Sequence, residues 1–462
     1  MIMDRTIKWD ITYNCNLRCK HCYNNQYFNK IDDSTYTNQS LLETMDKLIK
    51  IGITRIHFLG GEPLISPKIL PILYMAQKKN ITTTITTNGL LLSAEMSHTL
   101  FDAGLSFICV SLDGVTAATN DQIRGNGTFD IVKKNIQTTV TIRNSINSNT
   151  KIYITLTMNR LNVSESSRML EFIVSLGVDG LLIASIDQEG GAVDNWEMLG
   201  ITVQEKIFAI EQIVREKHKY PNIYLEIVCK NILSEYLFKK YSWRNRQLDL
   251  EKSWCNGTDE EYYIKPNGDI LPCRSCDIST NQNCLISHNC NTSLTPNIYK
   301  NSSKEILDNT FFKQFYAFTR DINSYKKASK CLMCKYSYKC LPCPLKCDSQ
   351  YLSAECEYSR GLIKQLEMEY INKKVKINDN ILFNSLYRGQ IRVLNIETQD
   401  QMVLEDVGAE LWNLLSESDY IVDKLIKKLY QDYAETVQFS EFQNDLLDYI
   451  FDLRSKGLLE II

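Results

Sequence analysis

Over the first 200 residues, short apolar runs alternate with stretches whose apolar positions recur every three or four residues. That alternation predicts strands and helices in turn. Residues 7–12 read as a first strand. A helix is predicted from Ser40, with Glu43 three residues on as a capping-box partner. Leu41, Met45, Leu48 and Ile49 form its buried stripe, and Gly52 ends it. A strand at 53–59 follows, then a helix starting at Pro67 with Ser66 as N-cap. Strands at 81–86, 107–111, 152–158 and 180–185 alternate with helices at 94–101, 129–142 and 164–176, the last closed by Gly177. Six such steps with short connections predict an α/β fold with a parallel sheet. A complete eightfold barrel takes about 250 residues. The expected form is therefore a partial (β/α)6 TIM-like barrel over 1–200, with ligands gathering at the carboxyl ends of its strands.

The pattern then changes. Residues 201–250 read as helical bridging material, with helices at 204–217 and 231–241. Residues 251–374 are loop-rich and hold eleven of the sixteen cysteines, between Cys255 and Cys356. Their apolar content is thin, so metal clusters are expected to hold them together. Residues 375–462 contain no cysteine. Short strands at 382–386, 391–395 and 402–404 precede three amphipathic helices, which predicts a small winged-helix-like module.

Composition narrows the function. With 44% apolar and 23% charged residues, the 462-residue chain can bury ordinary cores. A formal net charge of −3 gives no general attraction to nucleic acid or anionic membrane. The last helix carries Asp445, Asp448 and Asp452 against Arg454 and Lys456, which argues against phosphate contact. The first residues lack an apolar core of signal-peptide length and no run is long enough to span a membrane, so a cytoplasmic protein is expected. In a reducing compartment, sixteen cysteines read as metal ligands or redox groups.

Cys15-x3-Cys19-x2-Cys22 falls just after the first strand. Three thiolates would hold a [4Fe–4S] cube and leave one iron open. A zinc site is the alternative, with His21 as fourth ligand. The segment ITYNCNLRCKHCYNN closely resembles the signature of the radical S-adenosylmethionine (SAM) superfamily, and later motifs extend the resemblance over residues 5–200. Gly60-Gly61-Glu62-Pro63 is similar to that family's GGEP motif, which contacts the SAM amino group. Thr87-Asn88-Gly89 resembles its TNG turn, and Ser111-Leu112-Asp113-Gly114 its element touching SAM's polar groups. Arg124-Gly125 resembles the segment whose arginine pairs with the SAM carboxylate, and Asn159 matches a further SAM-contacting position. The resemblance implies Gly60, Gly61, Glu62, Asn88, Ser111, Asp113, Arg124 and Asn159 as SAM-binding residues. It also implies reductive cleavage of SAM to a 5′-deoxyadenosyl radical, fed by an electron donor such as flavodoxin or ferredoxin.

Cys255 and Cys273, with YIKPNGDILPC between them, precede Cys331-x2-Cys334-x5-Cys340-x2-Cys343 and Cys356. This resembles the SPASM extension of peptide-modifying radical SAM enzymes, which carries two auxiliary [4Fe–4S] clusters. The resemblance implies Cys331, Cys334, Cys340 and Cys356 for one cluster. It implies Cys255, Cys273 and Cys343 for the other, with Cys276 as fourth ligand or an open site. Cys347 is an extra thiol, Cys284 and Cys290 lie outside the pattern, and Cys109 and Cys229 read as core residues. Paired zinc ribbons are the alternative.

The stretch VLNIETQDQMVLEDVGAELWNLL and the ending DLRSKGLLEI resemble the pyrroloquinoline-quinone peptide chaperone family. In that family a leader peptide adds a strand to the small sheet and packs beside the last helix. Together the resemblances imply a maturase of a ribosomally made precursor peptide, forming a thioether or carbon–carbon crosslink. An anaerobic sulfatase-type formylglycine maturase and a zinc-containing regulator with a winged-helix tail are the competing readings.

Overall fold

The computed structural model describes residues 5–28, 37–243, 257, 260–277, 295–320 and 354–462. These fall into two compact units. One comprises the chain up to Cys229 with residues 257, 260–277 and 295–320. The other comprises the segment from Lys230 and the residues from 354 onward.

The first unit is built on a nine-stranded sheet. Strands β1 (Arg5–Thr12), β2 (Ile53–Gly60), β3 (Thr82–Thr87), β4 (Phe107–Ser111), β5 (Lys151–Met158), β6 (Gly180–Ser185) and β7 (Tyr224–Ile227) are parallel and lie in chain order. β8 (Glu261–Ile264) joins the other side of β1, also parallel, and β9 (Ile270–Leu271) turns back antiparallel beside it. The six expected strands are present, and the sheet continues past them. The stretch 201–250 contributes the helix Val203–Glu216 and β7 to this unit and the helix Asn231–Tyr241 to the second.

The two faces of the sheet differ in kind. Ile7, Trp9, Ile56, Phe58, Ile85, Ile108, Ile154 and Ile183 form one face, and all are buried. The alternating positions include Lys8, Asp10, His57, Thr84, Thr86, Cys109, Ser111, Tyr153, Thr155, Glu226 and Tyr263, with Leu59, Phe107 and Leu182 as apolar members. A parallel sheet covered on both sides is usually apolar on both. Here the inner face of the partial barrel is mostly polar, as suits a ligand-holding interior.

Several boundaries depart from expectation. The first helix is Asn38–Lys50 and begins two residues before Ser40. Thr37 is its N-cap, and Ser40 supplies the reciprocal arm of the capping box in place of Glu43. Of its stripe, Leu41, Met45 and Leu48 are buried, but Ile49 is 36% exposed. The second helix starts at Ile69, with Lys68 rather than Ser66 at the cap. The stretch expected as one helix at 164–176 divides into a 3-10 segment, Val163–Arg168, and an α-helix, Met169–Ser175. The division follows from Glu165, which turns inward to accept bonds from Val115 N, Thr116 and Thr119.

In the second unit, β10 (Lys374–Ile377), β14 (Tyr420–Ile421) and β15 (Leu459–Ile461) form one antiparallel sheet. β11 (Ile381–Ser385), β12 (Ile391–Asn395) and β13 (Gln401–Leu404) form another. The second of these is the three-stranded sheet expected from the pattern, with its edges at β11 and β13. The first was not expected, because strands of two to four residues are too short to show a period. The helices Asp406–Glu417, Val422–Tyr430 and Phe439–Ser455 complete the module around the fully buried Trp412.

Candidate functional site

β1 ends at Thr12, and the chain leaves the sheet into the loop that holds Cys15, Cys19 and Cys22, all half-buried. The turn after β2 fixes the start of this loop. Gly61 N donates to Thr12 O at 2.7 Å and Glu62 N to Asn14 O at 2.8 Å. A Cβ on Gly60 or Gly61 would run into the Thr12 and Asn14 carbonyl groups, so only glycine allows this approach.

Nitrogen donors converge on the sulfurs. Leu17 N lies 3.4 Å and Asn88 Nδ2 3.8 Å from Cys15 Sγ, and Arg124 Nη1 lies 3.9 Å from Cys19 Sγ. Cys22 takes a backbone bond from Asn24. Such N–H···S contacts are a lever by which proteins tune iron–sulfur clusters. Burial raises all three thiols, Cys22 up to about 12. A bound cation reverses that effect by stabilising the thiolates. Three sulfur donors on one loop, each with an N–H partner, fit an iron–sulfur cluster attached at three points. His21, the fourth ligand of the zinc alternative, places its Nε2 2.6 Å from Asp113 Oδ2.

Asp113 follows β4 and is fully buried. Its Oδ2 also lies 2.7 Å from Arg124 Nε, and Thr157 N donates to Oδ1 at 2.7 Å. Burial works against the charge, but Arg124 and His21 outweigh it and hold the carboxyl well below its usual range. One carboxylate thus ties the cysteine loop to the end of the helix Ala117–Arg124, an element the sequence reading had passed over.

The other expected SAM contacts sit at the same strand ends. Glu62 is fully buried and accepts from Thr87 Oγ1 and Asn88 N at 2.7 Å and from Leu64 N at 3.1 Å. Burial raises its carboxyl, and those three bonds oppose the rise. Asn159 is also fully buried and closes the turn after β5 through Leu161 N and Thr157 O. Ser111 lies on the inner face, 3.3 Å from Thr155 Oγ1. Glu62, Asp113 and Asn159 therefore spend their polar atoms on protein, whereas Arg124 retains its Nη nitrogens on the cysteine side.

Beneath the loop, Asp10 Oδ2 accepts from Tyr263 on β8 at 2.6 Å and from Asn24 at 3.2 Å. The Arg274 guanidinium lies over the ring of Tyr23. Arg274 stands beside Cys273, whose Sγ is 3.7 Å from that of the buried Cys276. The residue after Cys22 therefore touches the residue after Cys273. No sequence signal linked these pairs, which are about 250 residues apart. Cys356 lies in the first turn of the helix Ala354–Tyr370. Cys255, Cys284, Cys290, Cys331, Cys334, Cys340, Cys343 and Cys347 lie outside the described residues. Cys109 is buried as expected, with its thiol pushed up to about 12 by burial, and Cys229 is half-buried.

In the second unit, a groove of about 380 Å³ runs between the start of the helix Asp406–Glu417 and the helix Phe439–Ser455. Val407, Val437, Phe442, Leu446, Tyr433 and Tyr449 line it, together with Glu405, Asp406 and Asp445. No cation is among its lining residues. Among the described residues, no helix is long and apolar enough to cross a membrane.

Residues 9–173 match the radical SAM superfamily, and residues 390–459 match coenzyme PQQ synthesis protein D (PqqD). The mycofactocin maturase MftC of Mycobacterium tuberculosis is 25% identical over 208 residues, 45% of this chain and 51% of that protein. The AdoMet-dependent heme synthase of Methanosarcina barkeri is 23% identical over 370 residues, 77% of this chain and 97% of that protein. The chain thus spans only about half the length of the maturase. Among solved structures, Streptococcus suis SuiB bound to S-adenosylmethionine superposes with a TM-score of 0.59 at 18% identity, over 77% of each chain. The chain shares the fold of SuiB over that part of its length, and the radical SAM match lies within it at residues 9–173.

Proposed function

We propose, from a chain that carries a radical SAM domain at residues 9–173 and a PqqD-type domain at 390–459, that the protein is a maturase of a ribosomally made precursor peptide. The observation that carries this reading is the presence of both domains on one chain, one to make a radical and one to hold a peptide. When bound, the cluster and SAM supply a 5′-deoxyadenosyl radical that takes a hydrogen atom from the peptide.

The chain's own residues have distinct tasks. Cys15, Cys19 and Cys22 hold the cluster. The Nη nitrogens of Arg124 form the fork for the SAM carboxylate. Gly60 and Gly61 let backbone approach the ligand, and Asn88 and Ser111 offer polar groups at the strand ends. Glu62, Asp113 and Asn159 hold these elements from behind. Cys273 and Cys276, with their sulfurs 3.7 Å apart, serve an auxiliary cluster together with Cys255 and Cys343. Cys331, Cys334, Cys340 and Cys356 serve the second. Flavodoxin or ferredoxin is the donor class.

The groove beside Phe439–Ser455 takes the leader, and the edge strand β13 offers backbone for strand addition. The product is a thioether or carbon–carbon crosslink. The alignment with a heme synthase makes heme synthesis the competing activity, and the PqqD-type domain favours a peptide.

Coexpression with short peptides encoded beside the gene tests the reading. The peptide mass is expected to fall by two hydrogens per crosslink, and Cys15→Ala is expected to abolish the change. An unaltered peptide alongside heme formation would sink the proposal.

A further inference from the structure

The loop after β6 carries a second Gly-Gly pair, Gly190-Gly191, which lies against the far end of the cysteine loop. Gly191 N donates to Cys22 O at 2.8 Å. Asn195 Nδ2 donates to Lys20 O at 3.2 Å and to Gly191 O at 2.8 Å. Gly190 adopts φ 54° and ψ −131°, a region that residues with a Cβ avoid. A Cβ there would stand 2.6 Å from Cys22 O and from Tyr23 Cα, and one on Gly191 would stand 2.8 Å from Lys20 O. All three are backbone atoms that cannot swing aside. From the other side, Lys20 N donates to Ile123 O at 2.9 Å. The half of the loop that bears Cys19 and Cys22 is therefore held between two walls.

We propose that Gly190-Gly191 is the seat of Cys22: it fixes the backbone of the third thiolate where that thiolate can share a cluster with Cys15 and Cys19. The proposal rests on the reading of these cysteines as cluster ligands. It assigns a positioning role to residues outside both the cysteine motif and the expected SAM contacts. Each cysteine then has its own supporting strand. Asn88, beside Cys15, follows β3. Arg124, beside Cys19, lies beyond β4. Gly191, bonded to Cys22, follows β6.

The test uses the full chain with Gly190→Ala, Gly191→Ala and Asn195→Ala. Gly361→Ala is the control, because a Cβ at Gly361 meets nothing within 4 Å. In the metal-free proteins, hydrogen exchange is read at the amides of residues 19–24. Protection is expected to fall roughly 10- to 100-fold in Gly190→Ala, less in Asn195→Ala, and not in Gly361→Ala. After reconstitution, SAM is expected to perturb the electron paramagnetic resonance of the wild-type cluster. That response is expected to be lost in Gly190→Ala and weakened in Asn195→Ala. Should circular dichroism show Gly190→Ala unfolded, Gly191→Ala and Asn195→Ala decide by the same two readouts. Native protection and an intact SAM response in the folded variants overturn the proposal. A wild-type chain with no SAM-sensitive iron signal overturns the cluster reading, and the proposal with it.

Discussion

Arg124 is the residue at which the charges of the site meet. Its Nε faces Asp113 and its Nη1 faces Cys19. Lysine would keep the charge and lose the fork, so Arg124→Lys is expected to weaken SAM binding by roughly 10- to 100-fold while the cluster still assembles. Equilibrium binding of SAM to the reconstituted variant checks this. The cysteines and Arg124 were legible in the sequence because their spacing and neighbours form a signature. The His21–Asp113–Arg124 linkage was not, because its members are brought together only by the ends of three different segments. His57 on the inner face of β2 shows a further consequence of burial. Its Nε2 is 2.7 Å from Thr86 Oγ1, and desolvation, aided by the Lys8 charge, lowers its pKa to about 3. The unfolded chain, with an ordinary histidine near 6.5, binds a proton that the folded chain does not. The group therefore stabilises the fold fully above pH 6.5, and that contribution is lost as pH falls toward 3. His57→Gln is expected to flatten the acid limb of the stability curve, measured by urea unfolding of the metal-free proteins between pH 7 and pH 4.

Most elements with a clear period lie within a few residues of expectation, whereas the stretch 164–176 is divided and the helix Ala117–Arg124 was not expected. β4, β6 and the helix Asn231–Tyr241 match expectation residue for residue. Caps shifted where another side chain offered better geometry, as Thr37 does for Asn38–Lys50. The groove is an element-scale feature that sequence could only suggest. It combines an apolar and aromatic lining with three carboxylates, so its best occupant has basic residues flanking an apolar anchor. Binding of the precursor is expected to weaken as salt rises, and Glu405→Gln with Asp445→Asn is expected to remove most of that dependence. Titrations at two salt concentrations check it; salt-independent binding would count against an electrostatic role for the rim. Asp406 begins its helix at φ 46°, an uncommon conformation for a residue with a side chain, directly at this groove. Gly408 leaves room for the Tyr449 hydroxyl, so Gly408→Val is expected to close the groove and abolish peptide binding while SAM cleavage persists without peptide.

At the scale of the whole molecule, the C-terminal module is larger than its cysteine-free stretch suggested. The helix Asn231–Tyr241 belongs to it, and Lys239 on that helix is fully buried against Glu367, Asp448 and the ring of Phe451. Arg454 Nη1 donates back to Lys239 O at 3.1 Å. A truncation before residue 375 removes Asp448 and Phe451, uncovers Lys239 and leaves it Glu367 alone of these partners. Asp448→Ala alone is expected to cost about 1–3 kcal/mol of unfolding free energy, discounted because the carboxylate is partly exposed. Chemical denaturation followed by tryptophan fluorescence measures it. Single substitutions in the groove are therefore a cleaner probe of peptide capture than removal of the module. In the other unit, the bond from Tyr263 to Asp10 spans 253 residues. During synthesis at roughly 5–20 residues per second, the cysteine loop emerges about 13–50 s before the strand that completes the wall beneath it. For that interval the loop bearing Cys15, Cys19 and Cys22 stands without the Tyr263 hydroxyl that anchors Asp10 beneath it.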